Sequence, residues 1–407
     1  MNRTLLLCFA AITCGPPEEQ PGGHPLVALV DGRALTRVDD AGTSQLFTFG
    51  EGVAADFVTV MDWDIEGQVI GAVAFLPAGE VLTYEYLLVS TTGEVLFHRL
   101  RRESGHPVIH LGVDGSLAVA GDTGFIARAD GTVTELGELL PMTPVLASGA
   151  VLVSRGPRWQ PGAVKSLWRD GALMPLPVDP GTENVHVVLG RALVISEDAL
   201  VSLEDGRSLR LPEQNMQFVE DLDGLLLLTG EGAVAVVDVE VGRVGVVAGL
   251  EKVQKRYRAW SVSLGSRGAV LEGCEVEGKL QLRRTEDLGA TWQDVGEPME
   301  PGEDLGMGTW LFPVERGGSV MLSSMTTGYG HFVNARQFVT LTGTQPLVTD
   351  SHFVSADSLE GTVDVSPDGQ LAATWETGGV VLIDANGTRR TVLSATAPGE
   401  LRFLRDQ

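Results

Sequence analysis

Lysine and cysteine are both scarce in this chain. Its 407 residues include four lysines (Lys165, Lys252, Lys255 and Lys279) and three cysteines (Cys8, Cys14 and Cys274). Only Cys274 lies in the body of the chain, so no intramolecular disulfide can hold the fold together. It ends the apolar run Ala269 to Cys274 and is expected to be a small buried packing residue. Helical periodicity is missing too. No long stretch places apolar residues at i, i+3, i+4 and i+7, which excludes a mainly helical fold. Positive charge is in deficit: the formal net charge is -25. Nucleic-acid binding needs a basic face to replace counterions on phosphate, so that function is excluded, and attraction to anionic lipid is disfavoured. No nucleophile elbow, phosphate-binding loop or dinucleotide fingerprint is present.

What the chain does have is glycine, 51 residues of it, between short apolar runs. That composition suits many strands and many turns. Val363 to Ala395 shows the unit. Asp368-Gly369, Thr377-Gly378-Gly379 and Asn386-Gly387 supply turns, because these residues tolerate positive φ. Leu371 to Trp375, Val380 to Ile383 and Thr391 to Leu393 supply β-prone runs after a first strand at Val363. Four strands make one antiparallel sheet that cannot bury both its faces alone, so copies must stack on it.

The copies are visible. Asp114 to Gly124 (DGSLAVAGDTG) aligns without gaps to Asp368 to Gly378 (DGQLAATWETG). A weaker echo, a glycine followed by an apolar strand, recurs at Gly67, Gly115, Gly149, Gly190, Gly224, Gly268, Gly318 and Gly369. The spacing between them matches the span of one four-stranded propeller blade, about 40 to 50 residues. Val185 to Leu189 and Trp260 to Leu264, which precede two of these glycines, are expected as inner strands. Leu26 to Phe49 holds three strands only, and Leu401 to Arg405 adds one after the last unit. A C-terminal strand completing an N-terminal blade would close a ring and remove its edges. The expectation is an all-β fold: a single propeller of four-stranded antiparallel sheets over residues 26–407. Eight blades are expected, within a range of seven to nine. Counted literally, the units give eight plus a composite ninth, and one of them is read as an insertion or a misread hairpin. The Pro-rich piece Val295 to Leu305 is expected as an inter-blade loop.

Three resemblances add to this. Ser366-Pro367-Asp368-Gly369 with Leu371-Ala372 resembles the blade of TolB-like and WD40-like propellers, which implies the fold and no activity. Thr285-Glu286-Asp287-Leu288-Gly289-Ala290-Thr291-Trp292 resembles the Asp-box, or BNR repeat, of sialidases and sortilin-type receptors. There the motif shapes the turn between third and fourth strands, so Thr285, Asp287, Gly289, Thr291 and Trp292 are expected to be structural. At the start, Arg3 and the apolar run Leu5 to Ile12 precede Ala11-Ile12-Thr13-Cys14, which resembles a bacterial lipobox. The resemblance implies a signal peptide over residues 1–13, with lipidation at Cys14. Gly15 to Pro25, rich in Pro, Gly and Glu, would then tether the domain. By the same analogy the address is the cell envelope, with the outer membrane favoured over the inner.

Other patterns are read as structure. Asp62 to Gly67 resembles half a calcium loop, but Ile70 and Val73 stand where further oxygen ligands belong, so it is read as a turn. His106 and His110 lack a third ligand and are read as ordinary strand and loop residues. Neither metal nor cofactor is expected. The remaining candidates are three loops whose Trp, Tyr and Arg content suits interaction hot spots. They carry Arg155, Arg158 and Trp159; Lys252, Lys255, Arg256, Tyr257 and Arg258; and Tyr329 and His331. In propellers of this kind, the connections from second to third and from fourth to first strands share one face, which often binds partners. The expected function is therefore non-catalytic: a monomeric envelope lipoprotein that binds or scaffolds a protein or glycan. The alternative is a glycan-acting hydrolase of sialidase-like type, which would need a Tyr-Glu nucleophile pair and an arginine cluster. Glu85 lies between Tyr84 and Tyr86 but in a run that reads as a strand core, and no arginine-centred motif matches.

Overall fold

The computed structural model describes residues 24–51, 58–78, 81–156, 163–180, 185–250, 262–300, 309–327, 331–340, 343–347, 352–354, 362–376, 378–395 and 399–404. Among these residues the chain builds nine antiparallel sheets, arranged as a β-propeller. Blade 1 is composite. It takes Leu26–Val30, Ala34–Asp39 and Gly42–Thr48 from the start of the chain and Leu401–Phe403 from its end. Each later blade is continuous, with its innermost strand first. These inner strands are Thr59–Glu66 in blade 2, Val108–Leu111 in blade 3, Leu139–Pro141 in blade 4 and Val185–Val188 in blade 5. Gln217–Leu222, Val262–Leu264, Thr309–Arg316 and Val363–Val365 serve blades 6 to 9. In blade 8 a short extra strand, His352–Val354, pairs with His331–Thr340.

The burial of each strand follows its place in a blade. In blade 9 the second strand, Leu371–Glu376, and the third, Gly379–Asp384, are covered on both faces by blades 8 and 1, and both are apolar almost throughout. The fourth, Arg389–Ser394, lies outside and is mostly polar. Sandwiched strands read as continuous apolar runs for this reason, while edge strands need not. The core is thus a set of layers between neighbouring blades. Inner strands are stitched to each other through acids. Asp364 accepts from the Phe403 backbone N–H at 2.8 Å, and Glu220 accepts from that of Leu264 at 2.8 Å.

Ring closure is as the sequence implied. Leu26 pairs with Phe403 and Ala28 with Leu401, which makes the C-terminal strand the innermost of blade 1. The blade number is one above the eight expected, inside the stated range. Each of the eight recurring glycines falls on the turn between first and second strands of its own blade, and each has positive φ. No unit was an insertion or a misread hairpin, so the literal count of eight plus a composite ninth was the correct one. Gly369 shows the demand on such a turn. At φ +71 it lies so close to blade 8 that a Cβ would sit 2.8 Å from the Arg316 carbonyl oxygen. The stretch expected as a loop from Val295 belongs in part to the outer strand Gln293–Met299 of blade 7. Pro298 is tolerated there because an outer edge needs no N–H from it. Cys274 is buried at 5% exposure in Val270–Val276.

Candidate functional site

All first-to-second and third-to-fourth connections open on one face of the ring, and all second-to-third and fourth-to-first connections on the other. The first face carries the mouth of the central channel, where Asp223, Ser266, Arg316 and Pro367 border a cavity of about 180 Å3. The larger cavity, about 540 Å3, lies on the second face at the seam between blades 3 and 4. Its floor is apolar: Val108, Ala120, Leu140 and Pro141. His106, Asp122, Glu138 and Arg155 supply the polar groups around it. A few polar groups over an apolar floor is the usual make-up of a binding pocket.

The sequence builds this pocket from behind. Glu103 is only 3% exposed and acts as the hub. Its carboxylate accepts from Tyr86 Oη at 3.1 Å and from the Asp122 backbone N–H at 2.6 Å, with Arg101 Nε 3.5 Å away. A Cβ on Gly121 would lie 2.6 Å from Glu103 Oε2, so a larger residue there would push the carboxylate from its place. Asp122 in turn accepts from Ser104 through both N–H (2.9 Å) and Oγ (2.5 Å), which fixes the connection carrying His106. His106 Nδ1 pairs with Tyr84 Oη at 2.7 Å. Burial, and then the Glu103 charge, push both tyrosine hydroxyls above their ordinary value, so both stay neutral.

Of the predicted partner-binding residues, Arg155 is exposed on the rim of this pocket. Arg158, Trp159, Lys252, Lys255, Arg256, Tyr257, Arg258 and Tyr329 lie outside the described residues, as does Cys14. His331 begins a strand, and nothing is described of its side chain. Residues 156–163 join second to third strands in blade 4, and 328–330 do so in blade 8. Residues 247–261 run from the fourth strand of blade 6 to the first of blade 7. His106, Asp122 and Glu138 went unrecognised as a group, because their meeting depends on the seam between blades, which no local spacing encodes.

Glu85 is separated from the tyrosines beside it. Tyr84 and Tyr86 face blade 3, whereas Glu85 points to the opposite face of its strand. There it accepts from the Gly50 N–H and pairs with His98 Nε2, each at 2.7 Å. Alternation along the strand thus prevents a tyrosine–glutamate pair at this point. Asp62 to Gly67 forms the end of an inner strand and its turn, with Asp64 paired to Arg402 at 2.5 Å. Burial and the neighbouring Asp64 raise the Asp62 carboxyl above its usual value.

Thr285 to Trp292 joins the third strand of blade 7, Lys279–Thr285, to the fourth. Asp287 Oδ1 accepts from Thr285 Oγ1 and from the Thr291 N–H, each at 2.8 Å, and Oδ2 accepts from Thr291 Oγ1 at 2.7 Å. Trp292 Nε1 donates to the Ala248 carbonyl of blade 6 at 3.2 Å, beneath the Arg283 guanidinium. Gly289 touches the same strand end, where a Cβ would lie 1.9 Å from Ala248 O. These bonds shape the turn and dock it on blade 6. Bonds from Thr291 hold the Asp287 carboxyl below its usual range. A lowered folded value means that its contribution is present above about pH 4 and fades as pH falls through that value. Asp287→Ala is accordingly expected to lower the melting temperature at pH 7 by a few degrees, with a smaller difference at about pH 2. Scanning calorimetry of both proteins at the two pH values checks this.

No protein-family model matches the chain, and no curated protein matches it either. Among solved structures it is similar to the dihydro-heme d1 dehydrogenase NirN in complex with DHE. That likeness has a TM-score of 0.45 and 11% identity, over 94% of this chain and 75% of that one. It is also similar to the β-propeller domain of the Trilobed protease from Pyrococcus furiosus, with a TM-score of 0.38 and 12% identity over 69% and 94% of the two chains. For Porphyromonas gingivalis dipeptidyl peptidase 4 the TM-score is 0.42, with 13% identity over 91% and 59%.

Proposed function

We propose that this protein is a non-catalytic cell-envelope lipoprotein, anchored through Cys14, whose propeller binds a protein or glycan partner on the blade 3–blade 4 face. The observation that carries the proposal is the relation between that pocket and the point where the chain enters the ring. His24 Nε2 lies 2.9 Å from Asp368 Oδ2, on a first-to-second turn, and Pro25 O accepts from the Leu404 N–H at 2.9 Å. Both contacts are on the face opposite the pocket. A tether leading from a lipidated Cys14 would therefore reach the domain from behind. It would turn the pocket and Arg155 on its rim away from the membrane. The acidity of the chain suits such an exposed domain.

Arg155→Glu tests the reading, because Arg155 is exposed and its replacement should leave the fold intact. The immobilised variant is expected to retain at least about tenfold less material from detergent-solubilised envelope than the unaltered protein, the usual scale of a hot-spot charge. Equal retention by the two, with equal melting temperatures, would remove Arg155 and its pocket from the binding face.

A further inference from the structure

A second cavity, about 390 Å3, repeats the first one's position two blades further on, at the seam between blades 5 and 6 of the same face. Its composition is different. His186 and Phe218, from the two inner strands, stack face to face with ring centroids 3.8 Å apart and planes 15° apart. Ile195 and the buried Met216 complete the apolar part. Glu197, Asn215 and Gln217 stand around it, all three exposed. No side-chain hydrogen bond of these three is formed among the described residues. The backbone fixes their place, since the Asn215 N–H donates to the Glu197 carbonyl at 3.0 Å.

We propose that this cavity is a saccharide site, taking one or two neutral sugar rings. A sugar ring presents an apolar C–H face and a rim of hydroxyls. The His186–Phe218 platform offers flat apolar surface to the first, and two amides and a carboxylate offer donors and acceptors to the second. The volume lies in the usual range for small-molecule sites, roughly 300–1,000 Å3. An anion is disfavoured, because Glu197 is present and no lysine or arginine lines the cavity. Burial lowers the His186 pKa, so the platform is neutral around pH 7. The inference goes beyond the function proposed above. It concerns a different cavity and stands whether or not the Arg155 pocket holds a partner.

The test is calorimetric titration of the full chain with cellotriose, chitotriose and choline. At least one of the two saccharides is expected to bind. Glu197→Gln, at an exposed position, should fold normally and weaken that binding about three- to tenfold, the worth of about one hydrogen bond. Phe218→Ala should weaken it at least as much, and Arg155→Glu should leave it unchanged. Binding of neither saccharide at millimolar concentration would overturn the proposal. So would saccharide binding indifferent to Glu197→Gln and Phe218→Ala, or binding of choline alone, which would assign the platform to a cation instead.

Discussion

A chain stopped after Ala395 is expected not to hold its ring at 25 °C. The deletion removes Leu401–Phe403, the innermost strand of blade 1, and with it the ladder to Leu26–Val30. Leu401, Phe403 and Leu404 are 0%, 4% and 3% exposed. Burial of three such side chains is worth about 5–9 kcal/mol, which is comparable to the whole stability of an ordinary domain. The loss would also bare the edge of Leu26–Val30 in the channel and remove the N–H that Asp364 accepts from blade 1. Phe403→Ala is the milder version and should cost about 3–5 kcal/mol through the cavity it leaves. Thermal denaturation followed by circular dichroism reads both. A truncated chain that melted within a few degrees of the intact one would mean that the terminal strand is an accessory and the ring is held elsewhere.

Glu272→Ala should destabilise by about 3–5 kcal/mol, the cost of removing the buried partner of an ion pair. Glu272 is fully buried on the second strand of blade 7 and lies directly across from Arg283 on the third. Arg283 reaches its Oε2 through Nε at 2.6 Å and Nη2 at 2.5 Å. The same guanidinium donates to the Gly249 carbonyl and covers the Trp292 ring, so the pair also holds the turn docked on blade 6. Removing the acid takes from the half-buried arginine the carboxylate that its Nε and Nη2 reach. The double change Glu272→Leu with Arg283→Met should recover most of the loss, since an apolar pair of similar size can replace a buried ion pair. Urea titrations of the three proteins, compared at constant slope, measure this. A loss below about 1 kcal/mol for Glu272→Ala would show that the pair is solvated.

The ring was legible because its signals are local and repeated. A turn that requires positive φ selects glycine, and eight such turns leave eight glycines at blade spacing. Sandwiched strands are apolar on both faces, so Leu371 to Trp375 and Val380 to Ile383 could be found within two residues of their observed ends. The closing strand was legible because blade 1 is one strand short in the sequence. What escaped is whatever forms between blades. Glu103 of blade 2 receives a bond from Asp122 of blade 3, across a seam, and His106 meets Arg155 around a pocket through two blades. His186 and Phe218 stack although 32 positions separate them in the chain. Neither arrangement leaves a spacing to read. Arg155 was singled out for its loop content alone, and it is in the neighbouring strands that the pocket behind it is specified.

The account turns on which face of the ring is presented to a partner, and one measurement addresses that directly. A photo-crosslinking amino acid is introduced singly at Glu138, on the pocket face, or at Asp205, on the opposite face, and the protein is irradiated in intact cells. Adducts to a discrete partner are predicted from position 138 and not from position 205. Adducts from position 205 alone, or equally from both, would contradict the account.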